Sequence, residues 1–258
     1  MVAKLIARGI RAALDEMGYV LWKKEFLQYG ISVYDDIARL NRAWGRSVNT
    51  FFDVGANVGQ TAREALRRFP SARVYAFEPH PASFLKLVAI KDDRLSAHQI
   101  ALSERSGKAT LYQYGEAGDG SLINSLVKNA RFPIQFGHQP KKEVNVTCST
   151  VDDFCFEHGI DNIDVLKLDT EGSELAVLKG AERMLASGRC SYVYTEFNEL
   201  QSQPGMTGGA LIPISDLLSR RGLRYVATYT DFVLPNGGMH VCANALFALP
   251  STRSLEQL

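Results

Sequence analysis

The strongest constraint on this chain is the regular exchange of short β-rich runs with apolar patterns of helical spacing. Three apolar runs, Thr50–Val54, Arg73–Phe77 and 97–102, each stop at a polar residue or turn signal. Between the first two, Ala62, Ala65, Leu66 and Phe69 mark one face of a helix over residues 60–69, which Pro70 and Ser71 close. A second helical pattern, PHPASFLKLVAI, leads into the third run. Strand, helix, strand, helix, strand in so short a span predicts a doubly wound parallel sheet, because parallel neighbours need a crossover and a helix is its usual form.

A second series follows. Ile163–Leu168 is apolar apart from Asp164 and Lys167, and helix, strand and helix are expected over 174–186, 192–195 and 212–221. Two last strands, 224–229 and 245–249, are expected to pair antiparallel across PNGGMH. Between the two series, SGKATLYQY reads as a hairpin continuation turning at Ser106-Gly107, and 144–148 as a short alternating strand. Thr150, three residues before Asp153, is an N-cap signal for a helix over 152–158. Residues 115–142 are Gly-rich, polar and irregular, and a loop that long in a compact domain usually serves function. The expected organisation is a helical cap or lid over 1–48, one α/β domain of about seven main strands over 49–250, and a tail over 251–258.

Composition narrows the partners. With 29 basic and 28 acidic residues the net charge is +1, so no global field favours nucleic acid, and no Lys/Arg run is interleaved with aromatics. The four cysteines form no CxxC pair, which argues for reduced thiols and a cytoplasmic setting. No apolar run reaches the roughly 18 residues of a membrane span. The N-terminal MVAKLIARGIRAALDEMGYVLWKKEF is broken by Lys4, Arg8 and Arg11, so it is expected not to be a signal peptide but an amphipathic helix with a basic face. Packing across the domain is the plain reading of that helix. Contact with an anionic membrane surface, a lid and a homodimer contact are its alternatives.

The sequence FFDVGANVGQ places Asp53, Gly55, Asn57 and Gly59 at the end of the first strand and the start of a helix. A pyrophosphate-binding turn would show G-x-G-x-x-G, and it is missing here. Glycines four apart suit instead a cofactor whose carboxylate meets backbone amides at a helix N-terminus. Glu78 in VYAFEP ends the second strand, where an acid can accept both hydrogen bonds of a ribose diol. Turn and acid together point to an adenosyl cofactor.

DVGANVG, FEP, IALSERSGKATLY, TVDD and IDVLKLDTEGSELAVLKGA, in that order, resemble the FkbM-type S-adenosylmethionine-dependent methyltransferases from about residue 49 to 249. The resemblance implies a class I methyltransferase (Rossmann-like) fold, a seven-stranded, mostly parallel sheet in strand order 3-2-1-4-5-7-6. It implies methylation of a hydroxyl on a sugar or secondary metabolite. It makes Asp53, Gly55, Asn57 and Gly59 the methionine-side loop and Glu78 the ribose contact, places Ala101 to Ser103 by the adenine, and turns Asp169 toward the sulfonium and the acceptor. Asn244 departs from the family's usual ending, where Asp is expected.

An aliphatic hydroxyl needs a base or a metal ion to take its proton. Asp169 and Glu171 follow the fourth main strand, Glu196 and Asn198 the fifth, so they should converge at the ligand-binding edge as catalytic groups. Asp169, Glu196 and Asn198 could hold Mg²⁺ or a similar ion, although no dense Asp/His cluster demands one. Glu171 has a rival reading, and Glu174 a preferred one, as decoration of a helix N-terminus. Acceptor recognition is assigned to GDGSLINSL, with Ser121, Asn124 and Ser125, and to Asn198, with His138 and His240 as further candidates. His98 and His158 are read as structural. An NAD-type oxidoreductase and a non-catalytic cofactor-binding scaffold remain the rival functions.

Overall fold

A computed structural model describes residues 2–19, 27–114, 124–128, 140–197, 210–233 and 240–251. The chain begins with α1 (Val2–Glu16), α2 (Val33–Trp44), β1 (Thr50–Val54), α3 (Gln60–Arg68), β2 (Arg73–Phe77), α4 (Pro81–Val88) and β3 (Leu95–His98). Four strands follow, β4 (Ala101–Leu102), β5 (Gly107–Tyr114), β6 (Asn124–Ser125) and β7 (Pro140–Ser149). Then come α5 (Val151–His158), β8 (Ile163–Leu168), α6 (Glu174–Lys179), α7 (Glu182–Ala186) and β9 (Cys190–Phe197). The last elements are α8 (Leu211–Arg220), β10 (Arg224–Val233) and β11 (His240–Ala248).

Seven strands form the main sheet in the order β10-β11-β9-β8-β1-β2-β3. Counted over those seven alone this is 3-2-1-4-5-7-6. In chain order the numbers are displaced, because four strands of a second sheet intervene between β3 and β8. Neighbours from β3 to β9 run parallel, and β11 pairs antiparallel with both β9 and β10. The central strands are covered on both faces, so β1 and β8 read as nearly continuous apolar runs. One face packs Phe154, Leu178, Ile214 and Leu218 from α5, α6 and α8; the other packs Ile37, Ala62, Leu66 and Leu87 from α2, α3 and α4.

Several expectations need correction. The run 97–102 is not one strand: β3 belongs to the main sheet, while β4 pairs with β7 in a four-stranded sheet ordered β4-β7-β5-β6. Nor do β4 and β5 form a hairpin, since both flank β7. The helix expected over 174–186 is two helices, broken near Gly180. A Cβ there would lie 2.0 Å from the Ser103 carbonyl oxygen, so the backbone of the Ser103 turn packs directly on this point.

The N-terminal cap also divides. Helix α2, capped by Ser32 at one end and by left-handed Gly45 at the other, is sewn into the main core. Tyr229 Oη donates to Asp36 Oδ2 at 2.8 Å and Tyr192 Oη to Asn41 Oδ1 at 2.8 Å. Residues 33–44 are therefore packed and hydrogen-bonded onto the main core. Residues 9–19, by contrast, are almost wholly exposed, Ile10 and Met17 among them. Among the described residues no helix is long and apolar enough to cross a membrane.

Candidate active site

A cavity of about 320 Å³ opens at the carboxyl ends of β1, β2 and β8, the edge where sheets of this topology hold ligands. Its first wall is the turn after β1. Gly55 and Ala56 both donate their N–H to the Phe77 carbonyl, at 3.1 and 3.0 Å, which fastens the turn to β2. Gly55 has φ 78°, and a Cβ on it would lie 1.7 Å from the Asp169 carbonyl oxygen. Only glycine permits this crossing. Gly59 is glycine for a different reason: at φ 86° its missing Cβ makes room for Ile90 and Leu87. It is not among the residues that line the cavity, and it stands at the N-cap of α3.

Glu78 does face the cavity, but its carboxylate is also a structural acceptor. Oε2 accepts from Asn57 N–H and Oε1 from His80 N–H, both at 2.8 Å. Burial pushes Glu78 up to about 7, although these two bonds favour its charged form. Each oxygen retains a lone pair, so a ribose diol could still be accepted. Asn57 lines the same wall, and its Oδ1 is buried without a hydrogen-bond partner.

Asp53 departs from expectation. It is 0 % exposed, does not line the cavity, and has Lys167 Nζ 3.0 Å from its Oδ1. In the sequence Lys167 is only an exception in an apolar strand, yet it joins the groups of this floor. Its ammonium also stands 3.2 Å from Asp169 Oδ2 and 3.4 Å from the Gly55 carbonyl. Burial raises Asp53, Lys167 working against it; in Lys167 burial is outweighed by the two carboxylates, and its pKa rises. The signal was available in the sequence: a lysine at an inward position of a central strand needs a buried acid.

The opposite wall is acidic. Asp169 and Glu171 line the cavity, and one carboxylate oxygen each from Asp169, Glu171 and Glu196 lies within 4.8 Å of the others. The expected convergence is present, although Glu196 lies within β9 rather than after it. It stands directly opposite Asn244 of β11. Glu171 adopts φ 54°, and its Oε2 is buried without a partner. Burial, with Asp169 and Glu174 beside it, raises Glu171 well above the usual carboxylate range. Glu174 is 1 % exposed and starts α6, but it does more than decorate the helix: its Oε1 accepts from Thr170 N–H, Thr170 Oγ1 and Gly172 N–H, closing the loop that bears Glu171. The oxygen-only set suits a hard cation by chemistry, and equally a shared proton.

The small sheet supplies a third wall through Ala101, Leu102, Leu111, Asn124 and Leu126. Asn124 and Ala101 thus line the cavity. Ser103 does not: its N–H donates to the Ser149 carbonyl at 2.9 Å, and its own carbonyl packs on Gly180. Ser125 is 1 % exposed, and its Oγ donates to the Glu171 carbonyl at 2.7 Å, so it holds the acidic loop instead of facing an acceptor. Ser121, His138 and Asn198 lie outside the described residues. His240 opens β11 in register with Val233, and its side chain lies outside them too. His98 is stacked on Phe77 and edge-on to Phe154, and burial lowers it to about 4. His158 lies flat against Phe154, so both histidines are structural.

Residues 53–225 match the family described as the Methyltransferase FkbM domain. The chain is similar to 2-O-methyltransferase NoeI of Sinorhizobium fredii, 29% identical over 173 residues covering 64% of this chain and 69% of that protein. It is similar to the 31-O-demethyl-FK506 methyltransferase FkbM of Streptomyces tacrolimicus, 29% identical over 53% of this chain and 61% of the relative. Hexuronic acid methyltransferase AglP of Haloferax volcanii is 30% identical over 59% of this chain and 58% of its own. The matched stretch thus spans about three fifths of the last two relatives.

Proposed function

The chain belongs to the FkbM methyltransferase family, and from that premise we propose that it transfers the methyl group of S-adenosylmethionine to a hydroxyl of a sugar or glycosylated small molecule. The observation that carries this reading is one cavity with a glycine turn and Glu78 on one wall and the Asp169 and Glu171 carboxylates on another, Glu196 bringing an oxygen within 4.8 Å of that pair from behind the lining. The relatives named for 2-O-methylation and for a hexuronic acid support a sugar acceptor.

The residues fit such a donor. Gly55 clears the crossing of two backbones, Glu78 offers lone pairs to a diol, and the orphaned Asn57 Oδ1 calls for a donor group. Bound there, S-adenosylmethionine would supply an electrophilic methyl group on a sulfonium. Asp169 offers a carboxylate to the sulfonium end. Glu171, raised toward neutrality, and Glu196 take the proton of the acceptor hydroxyl, a transfer that needs a base near the working pH. Alignment of the acceptor supplies much of the remaining rate. The approach of those carboxylate oxygens to within 4.8 Å of one another supports one second reading, in which a divalent cation such as Mg²⁺ would share them and acidify the hydroxyl.

Calorimetry with S-adenosylhomocysteine, with NAD as the parallel ligand and with or without Mg²⁺, tests the proposal. Binding that Glu78→Ala weakens at least about tenfold supports it. NAD binding with no response to S-adenosylhomocysteine would return the chain to the oxidoreductases. A scaffold is recognised by Asp169→Ala: an enzyme then loses methyl transfer to a panel of sugars and uronic acids, whereas a scaffold has none to lose.

A further inference from the structure

Lys167 carries an inference that the cavity alone does not. An ammonium buried in a central strand is costly unless an acid compensates it, and one buried carboxylate suffices for that purpose. Asp53, 0 % exposed and 3.0 Å away, meets the need. Lys167 nevertheless has a second acidic partner of a different kind. The Asp169 side chain is 43 % exposed, lines the cavity, and places Oδ2 3.2 Å from the same nitrogen. The ammonium therefore joins the floor beneath the glycine turn to a carboxylate at its mouth. Its third neighbour, the Gly55 carbonyl, belongs to the residue whose absent Cβ lets Asp169 approach.

Two carboxylates meet one ammonium at the junction of β1 and β8, so the acids there outnumber the cation. Among the described residues lining the cavity Lys167 is the lone cation, and the other charged groups, Glu78, Asp169 and Glu171, are acids. A sulfonium brings one positive charge to such a place, and the product does not. When the S–CH₃ bond breaks, its electron pair stays on sulfur and leaves a neutral thioether, while the acceptor oxygen gains the methyl and gives its proton to a carboxylate.

Resting on the donor reading above, we propose that Lys167 is a positioning residue that fixes the Asp169 carboxylate beside the donor's sulfur, so that the site prefers the charged donor to its neutral product. The preference would help release the product, which matters because spent donor otherwise competes for the same pocket.

The test compares dissociation constants of S-adenosylmethionine and S-adenosylhomocysteine, by calorimetry, for the wild type, Lys167→Met, Lys167→Arg and Asp169→Asn. Lys167→Met is expected to weaken S-adenosylmethionine about tenfold and S-adenosylhomocysteine less than about threefold. Asp169→Asn, which keeps the shape and removes the charge, should show the same one-sided loss. Lys167→Arg should restore the wild-type ratio to within about threefold. Equal losses for both ligands in Lys167→Met mark a lysine that only supports the fold, and overturn the proposal. A wild-type ratio in Asp169→Asn also overturns it, and that variant decides the matter where Lys167→Met does not fold. Failure of the wild type to bind either ligand is a separate result, which removes the donor reading itself and this inference with it.

Discussion

The two long walls of the cavity are built from the same residue types and differ in what their acids are bound to. On the β1–β2 side, Asp53 faces Lys167 at 3.0 Å and Glu78 accepts two backbone N–H groups. On the β8–β9 side, Asp169, Glu171 and Glu196 bring their oxygens within 4.8 Å of one another, and Glu171 Oε2 has no hydrogen-bond partner. The first wall's acids each meet a cation or backbone N–H groups, whereas the second keeps three carboxylates in close company, although Asp169 shares Lys167 at 3.2 Å. Carboxylates so crowded resist joint ionisation, and a protein keeps such repulsion where chemistry uses it. Holding a donor requires shape; taking a proton requires an acid that is not yet satisfied.

The contrast can be broken most forcefully at Gly55. Gly55→Ala forces a Cβ against the Asp169 carbonyl at φ 78°, and a loss of roughly 4 kcal/mol or more is expected in guanidinium denaturation. A stable Gly55→Ala protein would mean that the two walls are not locked together there. Next in size is Asp53→Asn, which removes the fully buried one of the two carboxylates that compensate the Lys167 ammonium; about 3 kcal/mol should be lost in the same assay. Its counterpart across the cavity should move the other way. Glu171→Gln removes a buried charge beside two acids, so stability at pH 8 should rise by about 1 kcal/mol while methyl transfer falls about a hundredfold. The sign follows from linkage: a carboxyl raised in the folded state contributes most at low pH and loses that contribution as pH rises through its folded pKa. The gain from Glu171→Gln should therefore grow with pH, and a loss of stability would erase the contrast.

The smallest effect sharpens the first wall. Glu78 titrates near 7, and its charged form is the better acceptor for a diol. Affinity for S-adenosylhomocysteine should fall by up to about tenfold as pH drops from above 7 to the ordinary glutamate range near 4.5, and Glu78→Gln should flatten the curve. For the free protein the direction is opposite. The proton on Glu78 favours the native state, so this group's contribution to stability is full below 4.5 and is lost as pH rises through about 7.

Much of this arrangement is written in short-range patterns. β1, β2 and β8 fall on the apolar runs Thr50–Val54, Arg73–Phe77 and Ile163–Leu168 because strands buried on both faces allow few polar residues. Thr150 caps α5, its side chain accepting from Asp153 N–H at 2.9 Å, because a cap is decided within one turn. What periodicity does not display is close approach between distant backbones. The break at Gly180 depends on Ser103, and the need for Gly55 depends on Asp169. The split of 97–102 depends on β7, a partner almost fifty residues away in sequence, against which β4 pairs. Lys167 was legible only as an anomaly, since its meaning lies in two acids on separate strand ends. Ser125 misled because a serine beside a cavity looks like a ligand contact, and its hydroxyl instead serves the Glu171 carbonyl.

The second sheet has a history-like consequence. The chain leaves the main sheet after β3, and the strands that begin and end the excursion lie side by side, Ala101 against Cys148 and Leu102 against Ser149. An insert whose two ends are already joined can be lengthened, shortened or exchanged with little disturbance to its host, since closing the loop adds only slowly to the entropy cost. It is also the insert that brings Leu111, Asn124 and Leu126 to the cavity. One wall of the cavity is thus carried by a cassette, and chimeras that swap residues 103–147 between relatives would exchange that wall, provided that Ser125, whose hydroxyl holds the Glu171 loop, is kept.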